Sequence, residues 1–222
     1  MSTHLQQEIE NIKHKLLTLV ATAEEAVEQA VKSVDERDAA LAQTVIDGDF
    51  ALDRAEVGLE EDCLKILALY QPVATNLRVI VSVMKMNNDI ERIGDLAVNI
   101  AERALFLCSK APVEAPSDLA EMRAKALAML TGSVDALVRL DTQRAREIRA
   151  ADDEVDAINR RLFKEFSAAV RKRPEQVEGL LSYLSVGRHL ERIADYATNI
   201  AEDVIYLMEG EIVRHKPTVP EK

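Results

Sequence analysis

Apolar side chains recur at three- and four-residue intervals along nearly the whole chain. Ile9, Ile12, Leu16, Leu19, Val20, Ala23, Val27, Ala30, Val31 and Val34 keep that spacing, which gathers them on one face of a helix. The pattern predicts a first helix to about Ser33, capped by Ser2-Thr3. A second runs from near Glu36 to Leu69, and Asp47-Gly48-Asp49 is expected to kink or divide it. Pro72 suits the first turn of a third helix, which continues to about Leu107. Pro112 and Pro116 stand among small and polar residues and mark a linker. The plan then repeats, with helices from about Asp118 to Leu140, from Thr142 to Lys172, and from Pro174 to near Gly210.

The fold class predicted is all-α, two tandem, repeat-related antiparallel three-helix bundles joined by short connections. The first bundle takes residues 1–110, the linker 111–117, the second bundle 118–210, and a tail of 211–222 is expected to be loose.

The repeat is visible in the letters. Residues 91–107 read ERIGDLAVNIAERALFL and residues 191–207 read ERIADYATNIAEDVIYL, with 10 identities in 17 and no gap. A period of this length is one whole three-helix unit.

Composition narrows the function classes. With 7 Gly, 6 Pro and 4% aromatic residues, helix formers dominate. A net charge of −11 argues against sequence-independent nucleic-acid binding, which needs clustered Lys and Arg. Arg171-Lys172-Arg173 reads as a basic helix end that complements the dipole. Cys63 and Cys108 form no CxxC and read as buried small residues. Met1 to Glu10 is polar, without the apolar stretch of a signal peptide. No run of about 18 apolar residues exists. A soluble, cytoplasmic protein without direct membrane insertion is expected.

The candidate chemistry is carboxylate. On a helix, Glu91, Asp95, Asn99 and Glu102 form a stripe opposite the apolar face, and Glu191, Asp195, Asn199 and Glu202 repeat it. Asp49 and Asp53, and Asp152 and Asp156, show the same four-residue spacing on the preceding helices. Like charges at that spacing repel, and an antiparallel hairpin brings the two pairs of each half together as four carboxylates. All-oxygen ligands favour magnesium, calcium, manganese or ferric iron. Structural zinc prefers Cys or His, and no His follows a Glu in the Glu-x-x-His pattern of di-iron bundles. His189 aligns with Asp89 and reads as local tuning. Arg92 and Arg192 are expected to bridge Asp95 and Asp195. No nucleophile elbow, P-loop or glycine-rich phosphate loop is present, so an enzyme is not expected. Solvated acid faces on a pure scaffold are the plain alternative.

Gln71-Pro72-Val73-Ala74-Thr75-Asn76-Leu77-Arg78, the run Asn88 to Glu102 and the run Arg188 to Glu202 together resemble the PhoU family, over the whole chain. The resemblance implies two three-helix bundles and a non-enzymatic negative regulator of phosphate uptake and phosphate-starvation signalling. It implies as partners the ATPase subunit of a phosphate ABC transporter and a sensor histidine kinase. Multinuclear iron or zinc clusters on E(D)xxxD motifs occur in some members. That motif falls here on Asp49, Asp53, Glu91, Asp95, Asp152, Asp156, Glu191 and Asp195, with Glu102 and Glu202 to complete the sites; no organic cofactor is implied. A homodimer is expected from the long amphipathic helices. Position 194 is Ala where the first copy has Gly94 and many relatives have Gly in both.

Overall fold

The helical spacing becomes six helices in the computed structural model, which describes residues 3–214. They are α1 (Thr3–Glu36), α2 (Ala39–Tyr70), α3 (Ala74–Cys108), α4 (Ser117–Arg139), α5 (Thr142–Lys172) and α6 (Val177–Glu209), with a 3₁₀ turn at Pro174–Gln176 before α6. Ser2, expected as a cap, lies outside the described residues, and Thr3 is already helical.

Asp38 sets the start of α2. Its carboxylate accepts the amides of Ala40 and Leu41, each at 2.9 Å, so donors that a helix start leaves free are satisfied. Arg37 before it has a left-handed φ of 52°. The device recurs 103 residues later, where Leu140 has φ 53° and Asp141 accepts the Arg144 amide at 3.0 Å. The buried positions follow the same offset: Leu16 matches Leu119, Leu19 matches Met122, Val45 matches Ile148, and Leu59 matches Leu162. α3 and α6 keep the offset of 100 seen in the sequence, because the α5–α6 hairpin is three residues shorter than the α2–α3 hairpin, chiefly through a later start of α6.

Two expectations about breaks are corrected. α2 runs through Gly48 without division, because Val45 and Leu52 anchor its buried face on either side. Pro72 does not begin α3. Gln71 ends α2 in a left-handed conformation with its amide on the Leu67 carbonyl, and a proline commonly follows such a stop because it cannot continue the helix. Val73 then precedes the first helical residue, Ala74.

Each half packs its three helices on one another, and α3 packs along α6 between the halves. The two run antiparallel. Lys85 near the start of α3 meets Asp203 near the end of α6, and Lys110, just past α3, meets Glu178 in the first turn of α6 at 2.8 Å. The buried apolar residues of both halves form one contiguous cluster across this seam. The connecting segment is strapped down. Arg37 donates to the carbonyls of Leu107 and Lys110, and Tyr183 donates to the Val113 carbonyl at 3.3 Å.

The tail needs a correction in its first residues. Val213 is 9% exposed, its carbonyl accepts Arg149 at 3.0 Å, and Arg214 lies near Glu202 and Asp203. Buried acids attract this segment back onto the bundle. The remainder of the expected loose tail, residues 215–222, lies outside the described residues.

Candidate functional site

The acid pairs of α2 and α3 meet as the hairpin geometry requires. Partial burial, then the charges of Asp53 and Asp95, raise the proton affinity of Asp49 above that of an ordinary carboxylate. Glu91 is raised by partial burial and by Asp95, with Arg92 opposing and with Glu56 and Asp53 adding to it. The pairs on separate helices therefore sense one another's charge. Arg92 lies 3.3 Å from Glu91 and 3.7 Å from Asp95, the bridge expected from the sequence. Glu56 joins this group; its backbone carbonyl and its carboxylate accept Asn87 Nδ2 at 3.0 and 2.9 Å.

The second half repeats the arrangement more tightly. Burial, followed by Glu191, Asp152 and Asp156, pushes Asp195 up to about 6, with Arg192 as the opposing charge. Glu191 is raised by burial and by Asp156, with a hydrogen bond from Asn159 acting against the shift. Asp152 is raised by burial and Asp156, while Thr198 donates to it at 3.4 Å. Glu56, Asn159 and Thr198 were not singled out in the sequence. Glu56 stands three residues after Asp53, and Asn159 three after Asp156, so both carry the i,i+3 signal of a shared face.

Glu102 and Glu202 are placed differently from each other. Glu102 is about half exposed and leans toward Arg103 at 3.7 Å. Glu202 is held by Arg149 at 3.0 Å, both side chains being 10% exposed, with Arg214 at 3.6 Å. It belongs to a charged network at the seam, together with Lys85, Asp89 and Asp203. Asp89 is pushed up to about 6 by burial and by Asp203, against Arg214, Asn199 and Lys85. The repeat-related position is His189. Burial and the charges of Arg192, Arg103 and Arg188 lower its pKa, and Ser185 Oγ lies 3.1 Å from Nε2. The two ends of the seam thus carry opposite chemistry, acids at one and a neutral imidazole among arginines at the other.

These clusters attract positive charge, because every raised carboxylate is stabilised by a proton, a cation or a basic group. The donor set, all carboxylate, fits a hard cation in chemistry. Among the described residues, no three Asp, Glu, His or Cys side chains converge into a ready cation site, so coordination requires rotamer changes that gather the carboxylates.

Comparison with known proteins agrees with the repeat. The family profile described as the PhoU domain matches residues 16–104 and again residues 119–204. The phosphate-specific transport system accessory protein PhoU homolog of Aquifex aeolicus is 37% identical over 212 residues, covering 96% of each chain. The homolog of the same description from Pseudomonas aeruginosa is 35% identical over 218 residues, 97% of this chain and 89% of that one. The crystal structure of PhoU from Pseudomonas aeruginosa superposes with a TM-score of 0.90 at 33% identity, over 93% of this chain and 99% of that chain. The phosphate transport system regulatory protein PhoU from Streptococcus pneumoniae superposes at 0.86 with 30% identity, over 94% and 99%.

Proposed function

The chain belongs to the PhoU family, and from that premise we propose that it regulates phosphate transport as an accessory protein of the transport system. In this reading it acts without turnover. It holds phosphate uptake and the phosphate-starvation response off by binding the ATPase subunit of a phosphate ABC transporter and a sensor histidine kinase at the cytoplasmic face. Among the described residues no helix is long and apolar enough to cross a membrane, which suits a protein that docks on membrane partners. Binding shifts a partner between signalling states only through unequal affinity for those states. The observation that carries the reading is the duplicated acid cluster within a family match that takes in both halves.

The acid clusters are the proposed contact chemistry. Iron, zinc or another cation bound by Asp49, Asp53, Glu91 and Asp95, or by Asp152, Asp156, Glu191 and Asp195, would cancel the carboxylate repulsion and fix the tilt between neighbouring helices. Glu102 is free to swing toward the first set; Glu202 would have to leave Arg149. A homodimer is part of the same proposal.

Deleting the gene is expected to raise alkaline phosphatase in phosphate-rich medium, and an unchanged level would overturn the regulatory reading. Metal content per chain, measured by mass spectrometry on untagged protein, tests the clusters. Metal in the wild type that is lost from Glu91→Ala/Asp95→Ala and from Glu191→Ala/Asp195→Ala supports them as sites. A chain that stays empty after reconstitution removes the metal from the proposal and leaves the adaptor.

A further inference from the structure

The outer face of α2 carries a stripe of three large apolar side chains that no other helix covers among the described residues. Phe50 is 70% exposed, Val57 49% and Leu64 50%. They stand seven residues apart, so they share one face over about 21 Å of helix. Singly exposed apolar residues are ordinary on a surface, but three in register along one helix face have the spacing through which helices read one another.

The second half supplies an internal control. At the offset of 103 that matches every other feature of α2 with α5, the three positions are Asp153, Arg160 and Ser167. Arg160 pairs with Asp156 at 3.7 Å. α5 exposes a different large apolar residue, Phe163, whose ring lies tilted at 41° to that of Phe166 with centroids 6.5 Å apart. Both copies needed the same buried face to fold, and only one kept an apolar outer face. Folding therefore does not account for the stripe.

Charge decides what fits on it. Asp53 and Glu60 flank the stripe on the side of the acid cluster, and Glu61 flanks it on the other. All three are exposed. No ion pair is formed by any of them among the described residues, whereas neighbouring Asp62 is paired with Lys15 at 2.5 Å and with Lys65 at 3.4 Å. Arg54 is drawn over the Phe50 ring, 5.9 Å from its centroid. A second copy laid antiparallel about Val57 would oppose Asp53 with the other copy's Glu60, in a chain that already carries a net charge of −11. A basic partner meets three exposed acids, Asp53, Glu60 and Glu61, against the cation Arg54, which is drawn onto the Phe50 ring.

We propose that the outer face of α2 docks an amphipathic helix of a partner protein. That helix presents large apolar residues at seven-residue spacing and Lys or Arg along its flanks. The proposal rests on the adaptor reading and adds that docking is asymmetric, with the first half as the receiving half. Helix-on-helix recognition of this kind is read through spaced apolar anchors, and the unpaired acids select a basic partner through attraction and exclude an acidic one through repulsion.

The test uses the full chain and a synthetic 21-residue helical peptide as probe, with Leu at the seven-residue positions and Lys on both flanks. Two further peptides serve as comparison, one scrambled and one with Glu replacing Lys. Fluorescence anisotropy is expected to show the Lys peptide binding at least tenfold tighter than either, with weakening as salt rises. Phe50→Ser/Val57→Ser/Leu64→Ser should lose at least tenfold, and Phe163→Ser should not. All four side chains are exposed, and circular dichroism verifies that the variants are folded. Undetectable binding of the Lys peptide, equal binding of the scrambled peptide, or an unaffected triple variant overturns the proposal. So does a wild-type dimer in sedimentation that the triple variant abolishes, because a second copy would then cover the stripe. In cells, a triple variant that still represses alkaline phosphatase sinks the docking face alone; the gene deletion separately tests the adaptor reading.

Discussion

Lys85 on α3 reaches Asp203 on α6 at 3.4 Å, across the seam between the two repeats. Asp203 is 2% exposed, Asp89 is 7% exposed beside it, and the nearest further cation is Arg214, 3.8 Å from Asp203. The halves are thus joined by apolar packing and by a buried cluster whose charges balance only when residues from α3, α6 and the segment after α6 come together.

Removing one partner of a buried pair leaves a charge without compensation. Lys85→Met is expected to lower stability by roughly 1 kcal/mol, less than a fully buried pair would lose, because Lys85 is itself 39% exposed and Arg214 remains. Urea unfolding measures it, and an unchanged midpoint would show that Lys85 is dispensable to the seam.

Acid should stabilise this cluster. Burial and Asp203 raise Asp89 to about 6, above the roughly 3.9 of an unfolded Asp. Between those values the folded chain binds more protons than the unfolded one. The contribution of Asp89 to stability therefore rises as pH falls from about 6 toward about 4, and is least favourable above 6. Asp89→Asn is expected to be more stable than wild type at pH 7.5, on the order of 2 kcal/mol, with the difference shrinking toward pH 4.5. Asp195→Asn should act in the same direction, and less, because Asp195 keeps more contact with solvent than Asp89, which screens its charge. Unfolding curves across this pH range check both variants. A wild type that loses stability no faster with rising pH than Asp89→Asn would contradict the assignment.

The Gly94 and Ala194 difference has a packing cause. A Cβ at Gly94 would lie 3.0 and 3.1 Å from the two methyls of Leu52. In the second half Val155 stands where Leu52 stands in the first, and the shorter side chain leaves space for Ala194. Gly94→Ala alone combines a helix gain of roughly 1 kcal/mol with crowding of Leu52. Leu52→Val alone opens a gap. The double substitution is expected to be more stable than the sum of the two singles by at least about 0.5 kcal/mol. Strict additivity in a double-mutant cycle would refute the coupling.

The paired caps make a matched set. Asp38→Ala and Asp141→Ala should each cost about 1 kcal/mol. Asp38 should cost more, since it accepts two amides where Asp141 accepts one. Thermal melts of the two variants decide the order; an equal or reversed order would mean that the second amide bond contributes nothing.

Much of the site was legible before the fold was known. The acid pairs lie at i,i+4, and the turn at Gln71-Pro72 is nearly equidistant from Asp53 and Glu91, so an antiparallel hairpin had to bring them together. The expected bridge from Arg92 to Asp95 is likewise a local relationship. Gly48 was misleading, because a helix anchored on both sides by buried residues tolerates one glycine at a modest cost. Pro72 was misread because a proline just after a left-handed helix stop looks, in the letters alone, like a proline at a helix start. Glu202 was read as the twin of Glu102. Its partner Arg149 lies 53 residues away on α5, and no local spacing announces that pairing.

The sequence by itself determined six helices, the duplication and the carboxylate pairing, since helical period, capping and i,i+4 adjacency depend on residues within a few turns of one another. Tertiary structure alone decided that the halves share one core, that Asp89 and Asp203 are buried together, that the segment after α6 folds back onto Arg149, and that Phe50, Val57 and Leu64 face outward. Each of those depends on which helix faces meet. That choice is made by the packing of side chains up to 118 positions apart, over distances at which a periodic pattern carries no register.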